Sequence, residues 1–181
     1  MKILVACECS QKVCKAFRLK GHEAYSCDVQ PCYGGKPEWH IQGDVSPLLL
    51  ESWDMVIAFP PCTHLSAACA NLWAQKQRDG RQQEAVDFFL KCVNANAPKI
   101  CVENPVGYMN THFKKPSQII NPYQFGEPYA KRTCLWLKNL EPLIPTKIMK
   151  QRYSWHEQVR NPQLRSETFQ GIANAMAEQW G

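Results

Sequence analysis

The chain has 181 residues, of which 45% are hydrophobic, and a formal net charge of +5 at neutral pH. This length suits one domain with a sizeable core and is short for two, so we expect a single compact domain over residues 1–181. No apolar stretch approaches the roughly 20 residues of a membrane span, and the Met-Lys-Ile-Leu-Val start is typical of a strand. These features predict a cytoplasmic protein with no membrane contact.

Ten cysteines would suggest disulfides in a secreted protein, but most of them lie within apolar or helical patterns. Without a secretion signal, reduced thiols are the better interpretation. No paired CxxC occurs, and the residues after Pro61-Cys62 do not complete the PCxxC of zinc deaminases. We therefore expect no metal site. The modest positive charge is compatible with a polyanionic substrate and equally with a solvated surface.

In the first third of the chain, apolar runs and helical spacing alternate. They predict in order a strand, a helix, a strand, a short edge strand and a turn or short helix: Lys2–Ala6, Gln11–Lys20, Ala24–Cys27, His40–Gln42 and Pro47–Ser52. A strand, helix and strand in succession form a βαβ unit, which implies a parallel sheet with a right-handed crossover.

The rest of the chain continues the alternation. We predict strands at Met55–Phe59, Lys99–Val102 and Thr133–Leu137, and helices at Ala67–Ala74, Gln82–Ala95 and Thr168–Trp180. The segment Gln75–Arg81 is predicted to be an exposed break between two helices. Residues Met109–Pro128 and Pro142–Pro162 show little periodicity and are interpreted as irregular loops.

Two chemically active side chains follow neighbouring strands. Pro60-Pro61 stops the first strand and rigidifies its exit, because proline lacks an N–H and restrains its predecessor to extended geometry. Cys62 is thereby presented at a strand's carboxyl end, where open α/β sheets bind ligands. A nucleophile and an ordinary buried cysteine remain alternatives here. Glu103, after the next strand, is expected on the same edge of the sheet.

Pro60-Pro61-Cys62 and Glu103-Asn104-Pro105 resemble the catalytic motifs of the cytosine 5-methyltransferases, and further segments follow in the family's order. These are the loop Ala6–Ser10, Asp28 after the second strand, Gly43-Asp44-Val45, Lys131-Arg132 and Gly171–Met176. More closely, the chain resembles the short methyltransferase-like proteins of phages and prophages. The resemblance implies an α/β fold: a Rossmann-like, S-adenosylmethionine-dependent methyltransferase fold, with a mostly parallel sheet and helices on both faces.

The resemblance also implies roles for individual residues. The catalytic residues would be Cys62, Glu103 and Arg132. The residues that contact S-adenosylmethionine would be Glu8, Ser10, Asp28, Asp44, Pro60 and Asn174. The residues that contact DNA or a nucleotide would be Pro61, Ser66, Asn104 and Lys131. The implied reaction is methyl transfer to carbon 5 of cytosine through a covalent cysteine adduct.

Two departures from the family pattern keep other functions open. Residues Cys7–Gln11 contain no glycine, although glycine lets a backbone approach a ligand closely. The interval Thr133–Gln170, where family members carry a large target-recognition domain, has 38 residues. A homo-oligomer or a partner that supplies target recognition is therefore expected. The alternatives are a base-processing enzyme with the same Cys/Glu pair and no S-adenosylmethionine, or a non-catalytic phage protein that binds a nucleotide or host factor.

Overall fold

The computed structural model describes residues 1–150 and 152–181. Its strands are β1 (Lys2–Ala6), β2 (Glu23–Asp28), β3 (His40–Gln42), β4 (Met55–Ala58), β5 (Lys99–Pro105), β6 (Gln118–Ile120), β7 (Tyr129–Ala130), β8 (Thr133–Lys138) and β9 (Tyr153–Ser154). Its helices are α1 (Lys12–Leu19), α2 (Trp73–Arg78), α3 (Arg81–Val93), α4 (Met109–His112), α5 (Trp155–Gln158), α6 (Pro162–Ser166) and α7 (Gln170–Trp180). Short 3-10 helices cover Pro37–Trp39, Leu48–Leu50, Ala67–Leu72 and Pro122–Gln124.

Seven strands form one sheet in the order β3-β2-β1-β4-β5-β8-β6. The first five in that order are mutually parallel, β8 is antiparallel to β5, and β6 is antiparallel to β8. The chain runs outwards from β1 to one edge and then returns to β4 on the other side of β1. This reversal creates a switch point, the place where open α/β sheets bind ligands beyond the carboxyl ends of the strands.

Both faces of the sheet are covered, which explains why its strands are continuous apolar runs and not alternating patterns. On one face, residues such as Ile3, Val5 and Ile57 pack with α1 and α7. On the other face, Leu4 and Val56 pack with α3 and with the segment around Leu49 and Trp53. The predicted α/β fold, with a mostly parallel sheet between helices, is confirmed.

Two predicted boundaries differ from the structure. The segment Gln75–Arg81 was expected to be an exposed break, but α2 continues to Arg78 and the break is confined to Asp79 and Gly80. Contacts across the fold stabilise this helix, since Trp73 packs edge-on against Tyr108 at 5.3 Å between ring centroids. Strand β5 continues through Pro105 because it pairs with β8 along its length. Glu103 therefore lies within the strand and not after it.

The expectation that Met109–Pro128 is irregular is wrong in part. This region contains α4, the 3-10 helix Pro122–Gln124 and β6, which forms one edge of the sheet. Three residues are too few to show a period, and β6 depends on its pairing with β8. The region Pro142–Pro162 also contains two short elements, β9 and α5. Gln151, in the same region, lies outside the described residues.

Among residues 1–150 and 152–181, no helix combines the length and apolar character needed to cross a bilayer. The same residues contain no group of three or more histidine, cysteine, aspartate or glutamate side chains placed to hold a metal ion. All ten cysteines are described and all are unpaired.

Candidate active site at the carboxyl edge of the sheet

The loop after β4 presents Cys62 in a tight turn. Its carbonyl accepts hydrogen bonds from the backbone N–H groups of Leu65 at 3.0 Å and Ser66 at 2.9 Å. Pro60 is buried, whereas Pro61 is exposed and Cys62 is half-buried. The rigid exit from β4 predicted for Pro60-Pro61 thus leads into a hydrogen-bonded turn with the thiol at its start.

Glu103 lies on β5, the strand next to β4, and lines a small cavity. The other residues that line this cavity are Phe59, Lys131, Thr133, Glu167, Thr168, Phe169, Ile172 and Met176. Burial raises the pKa of the Glu103 carboxyl, and the positive charge of Lys131 opposes that rise. A carboxyl group in this setting is suited to hold a proton.

The charges of Glu103 and Lys131 also affect the pKa of the Cys62 thiol. Burial raises its pKa, the negative charge of Glu103 raises it further, and Lys131 opposes both effects. Each group therefore favours its neutral form, and Lys131 is the cation that favours ionisation of either. The charge of Glu103 thus acts on the Cys62 thiol, although Cys62 does not line the Glu103 cavity.

Of the two adjacent basic residues, Lys131 and not Arg132 lines the Glu103 cavity. Lys131 lies in the cavity with Glu103, where its Nζ donates to the Arg165 carbonyl at 2.9 Å and lies 5.8 Å from the centroid of the Phe169 ring. Arg132, predicted to be catalytic, is exposed and does not line that cavity. Lys131, predicted to contact the substrate, is the nearer cation.

Asn104, on β5, links that strand to the loop that follows β4. It is 1% exposed, and its Nδ2 donates to the Pro60 carbonyl at 2.8 Å. The structure therefore places this predicted substrate contact inside the protein, between β4 and β5. Ser66, another predicted substrate contact, accepts a hydrogen bond from Ala68 at the start of a 3-10 helix and forms a β-bridge with Gly107.

The loop between β1 and α1 adopts a glycine-like backbone without glycine. Cys7 and Gln11 have positive φ angles of 61° and 59°, in the left-handed region that glycine normally occupies. Gly34, in the loop after β2, lies against Gln11, and a Cβ atom on Gly34 would lie 2.5 Å from the Gln11 Cβ. The close approach of these two loops therefore requires glycine at position 34. Such backbone outliers concentrate at ligand sites.

The side chains of this loop turn inward. The Glu8 carboxylate accepts hydrogen bonds from Val13 N–H at 2.7 Å and Cys14 N–H at 3.1 Å, at the start of α1. Burial raises its pKa to about 7, against the effect of these bonds. The Ser10 hydroxyl lies 3.4 Å from the same carboxylate. Both residues still line a cavity at the carboxyl end of β1.

Asp28 and Asp44, the predicted ribose and adenine contacts, lie at the end of β2 and beyond β3. Each carboxylate accepts a hydrogen bond of 2.9 Å from a backbone N–H two residues further on, so each also forms a turn. Burial raises the pKa of the Cys7 thiol, and the negative charges of Asp28 and Asp44 raise it further. Neither carboxylate lines the cavity at the carboxyl end of β1 that Glu8 and Ser10 line.

Two further residues lie apart from these cavities. Asn174, on α7, is exposed and accepts a hydrogen bond from Gln170 at 2.9 Å. The Nδ1 of His64, in the Cys62 turn, is buried and has no hydrogen-bond partner among the described residues.

Glu167 closes the space above β1. It accepts a hydrogen bond from the Tyr33 hydroxyl at 2.7 Å and forms an ion pair with Lys12 at 2.8 Å. With Thr168 and Phe59 it lines both the Glu103 cavity and the β1 cavity. The β1 cavity holds about 40 Å³, enough for a few water molecules and far less than an adenosyl group needs. No sequence motif had indicated Tyr33 or Glu167.

Comparison with protein-family models and with curated proteins finds no match to this chain. Solved structures do match. One, described as a DNA modification methyltransferase encoded within an E. coli prophage, has a TM-score of 0.53 and 14% identity, covering 81% of this chain and 51% of that one. Another, S. pombe Dnmt2 methyltransferase, has a TM-score of 0.49 and 14% identity, covering 91% of this chain and 58% of that one.

The chain therefore spans roughly half the length of the proteins that it matches. At this level of identity the likeness concerns the fold. The TM-score of 0.53 over 81% of this chain relates its fold to that of the prophage protein. The resemblance read from the motifs is thus confirmed at the level of the fold, which is a Rossmann-like α/β fold that this chain shares with the prophage protein.

Proposed function

We propose that this protein transfers a methyl group from S-adenosylmethionine to carbon 5 of cytosine in DNA. The observation that carries the proposal is the position of Cys62, in the loop after β4, and of Glu103, on the neighbouring parallel strand β5, at the edge where α/β sheets bind ligands; the charge of Glu103 acts on the thiol. A nucleophilic thiol beside a carboxyl group with a raised pKa is the pair that addition to a pyrimidine requires.

Each residue has a defined task in this reaction. The Cys62 thiolate adds to carbon 6 of cytosine, which makes carbon 5 electron-rich. Glu103 holds the proton at ring nitrogen 3 and so neutralises the charge that develops there. Lys131 favours the thiolate that begins the addition. Once carbon 5 carries the methyl group that the cofactor would supply, the hydrogen on carbon 5 is lost as a proton to water, the ring double bond re-forms and the thiolate is expelled. A target base within a duplex must first be flipped out of the stack.

Acceptors near the carboxyl ends of β1, β2 and β3 suit an adenosyl cofactor, but the β1 cavity of about 40 Å³ is too small for one and has to open. Asp28 and Asp44 would accept hydrogen bonds from the ribose hydroxyls and the adenine amine. Glu8, Ser10 and Pro60 would line the remainder of the site. When bound, S-adenosylmethionine supplies an electrophilic methyl group. Because Glu167 lies across the cavity, entry of the cofactor requires displacement of the segment that carries it.

The distribution of charge supports a nucleic-acid substrate. Residues 131–165 carry eight basic and two acidic side chains, whereas the rest of the chain has 13 basic and 14 acidic ones. The whole positive excess therefore lies in the segment that begins at Lys131, beside the Glu103 cavity, which suits contact with phosphates. Since this segment is short, we propose that the target is single-stranded or that a partner or second copy contributes to its recognition.

Trapping on DNA that contains 5-fluorocytosine tests the proposal. Fluorine blocks the final elimination, so the enzyme with S-adenosylmethionine should form a stable adduct that peptide mapping places at Cys62. Cys62→Ser should form none, because a hydroxyl is far less ionised than a thiol near neutral pH. Cys69→Ser, a change of a nearby half-buried cysteine, should form the adduct normally.

Other outcomes would favour a different function. An adduct that forms equally without S-adenosylmethionine would indicate a base-processing enzyme with the same Cys62–Glu103 pair. An adduct at another cysteine would refute the assignment of the nucleophile. Binding of DNA or nucleotide with no adduct under any condition would favour a non-catalytic binding protein. Comparison of single-stranded and duplex substrates shows which form is preferred.

A further inference from the structure

Two buried polar side chains reach the Cys62 turn from the helices behind it. Lys76, on α2, is 4% exposed, and its Nζ donates to the Thr63 carbonyl at 2.7 Å. Gln82, on α3, is 2% exposed, and its Nε2 donates to the His64 carbonyl at 3.1 Å. These are the two carbonyl groups that directly follow Cys62 in the chain.

The burial of Lys76 requires a functional explanation. Lysine is almost never fully buried unless its ammonium group is paired. Among the described residues, Lys76 and Glu8 are the charged side chains with the least exposure. The hydrogen-bond partner of Lys76 is a backbone carbonyl and not a carboxylate, so this buried cation fixes the position of a loop.

Gln82 points to the same conclusion. Its Oε1 is buried and has no hydrogen-bond partner among the described residues, although its Nε2 is bonded to the loop. A buried acceptor without a partner is destabilising, and an apolar side chain at this position would avoid that cost. The stability of the core therefore does not account for a glutamine here, whereas the bond to the His64 carbonyl does.

We propose that Lys76 and Gln82 are positioning residues that fix the thiol of Cys62. The proposal rests on the function proposed above for Cys62. Together with the bond from Asn104 to the Pro60 carbonyl, donors from α2, α3 and β5 hold carbonyl groups on both sides of the thiol. A nucleophile misplaced by about 1 Å loses on the order of a hundredfold in rate, so these hydrogen bonds to the loop contribute directly to turnover.

The test compares Lys76→Met with Arg78→Met, a change of an exposed residue on the same helix. Iodoacetamide alkylation of every cysteine is followed by mass spectrometry, and 5-fluorocytosine trapping is measured in parallel. In Lys76→Met the turn loosens, so alkylation of Cys62 should accelerate about tenfold while trapping slows about tenfold. Arg78→Met should match the wild type in both measurements.

Buried Cys92 and Cys101 report on the fold as a whole. If their alkylation accelerates together with that of Cys62, Lys76 supports the core and the proposal is refuted. Unchanged alkylation and trapping of Cys62 in Lys76→Met would refute it as well. Should Lys76→Met fail to fold, Gln82→Leu removes the second donor instead. We expect it to accelerate alkylation of Cys62 and to slow trapping in the same way.

Lys76→Arg supplies a conservative control, since it keeps a buried donor and should restore part of the wild-type behaviour. The two readouts also separate this proposal from the proposed function. If the wild-type protein forms no adduct with 5-fluorocytosine, the methyl-transfer reaction is refuted. Alkylation of Cys62 in Lys76→Met and Gln82→Leu would still show whether these side chains hold the turn.

Discussion

At Gly107 the loop that follows β5 contacts the loop that carries Cys62. A Cβ atom there would lie 2.1 Å from the Leu65 carbonyl oxygen and 2.9 Å from the Ala67 nitrogen, both of them backbone atoms. Ordinary contacts begin near 3.4 Å, so Gly107→Ala must separate the loops by about 1 Å. This displacement breaks the bonds from Tyr108 N–H to Leu65, 2.7 Å, and from Ala67 N–H to Val106, 3.0 Å.

The expected cost follows from these bonds. Loss of two partly buried hydrogen bonds destabilises the fold by about 2 kcal/mol. For a domain of this size that lowers Tm by about 4–8 °C. A shift of about 1 Å between the Cys62 loop and β5 should reduce kcat for methyl transfer by about a hundredfold. Thermal unfolding and incorporation of labelled methyl groups into DNA measure the two effects on the same Gly107→Ala protein.

Gly21→Ala is a control that destabilises the fold without moving the Cys62 loop relative to β5. Gly21 has a φ of +83°, and a Cβ atom added to it would meet no other atom within 4 Å. It lies in an exposed turn between α1 and β2, at the opposite end of the sheet from Cys62. Alanine there should cost about 1 kcal/mol through backbone strain and leave kcat unchanged. If Gly107→Ala also keeps the wild-type kcat, the contact between the loops does not position the site.

Two further predictions concern charge. Lys131→Met should move the pH profile of Cys62 alkylation to higher pH, because Lys131 lowers the pKa of this thiol. Arg132→Met should leave the profile in place. A shift in Arg132→Met alone would show that Arg132, and not Lys131, lowers the pKa of Cys62. Glu167→Gln weakens the contacts that close the β1 cavity, so calorimetry should show about threefold tighter binding of S-adenosylmethionine. Glu178→Gln breaks a remote ion pair and serves as its control, and equal affinities would contradict the closing role of Glu167.

The elements that the sequence predicted well are those whose cause is local. Strands β1, β4 and β8 are buried on both faces, so each is a run of mostly apolar residues. The positions of Cys62 and Glu103 at the edge of the sheet follow from two such runs. The parallel pairing of β1 with β2 followed from the βαβ pattern.

The features that the sequence did not predict depend on distant contacts. Gln75–Arg81 is highly polar and resembles an exposed loop, yet Lys76 is buried because the Cys62 turn packs over it. Tyr33 and Glu167 are 134 residues apart, so no local pattern links them. The inward position of Asn104 has the same origin, since its partner follows the neighbouring strand.

The start of α1 limits how an adenosyl cofactor can be held. A helix N-terminus is a ready site for an anionic group, because its N–H groups lack partners within the helix. Here the N–H groups of Val13 and Cys14 already bind the carboxylate of Glu8, whose pKa burial raises to about 7. A ligand carboxylate at that place would meet both a filled site and a like charge. Asp28 and Asp44 do not line the β1 cavity, and each carboxylate accepts a backbone hydrogen bond in its own turn. If the proposed function holds, we infer that the start of α1 does not hold the carboxylate of the cofactor, because Glu8 already occupies it.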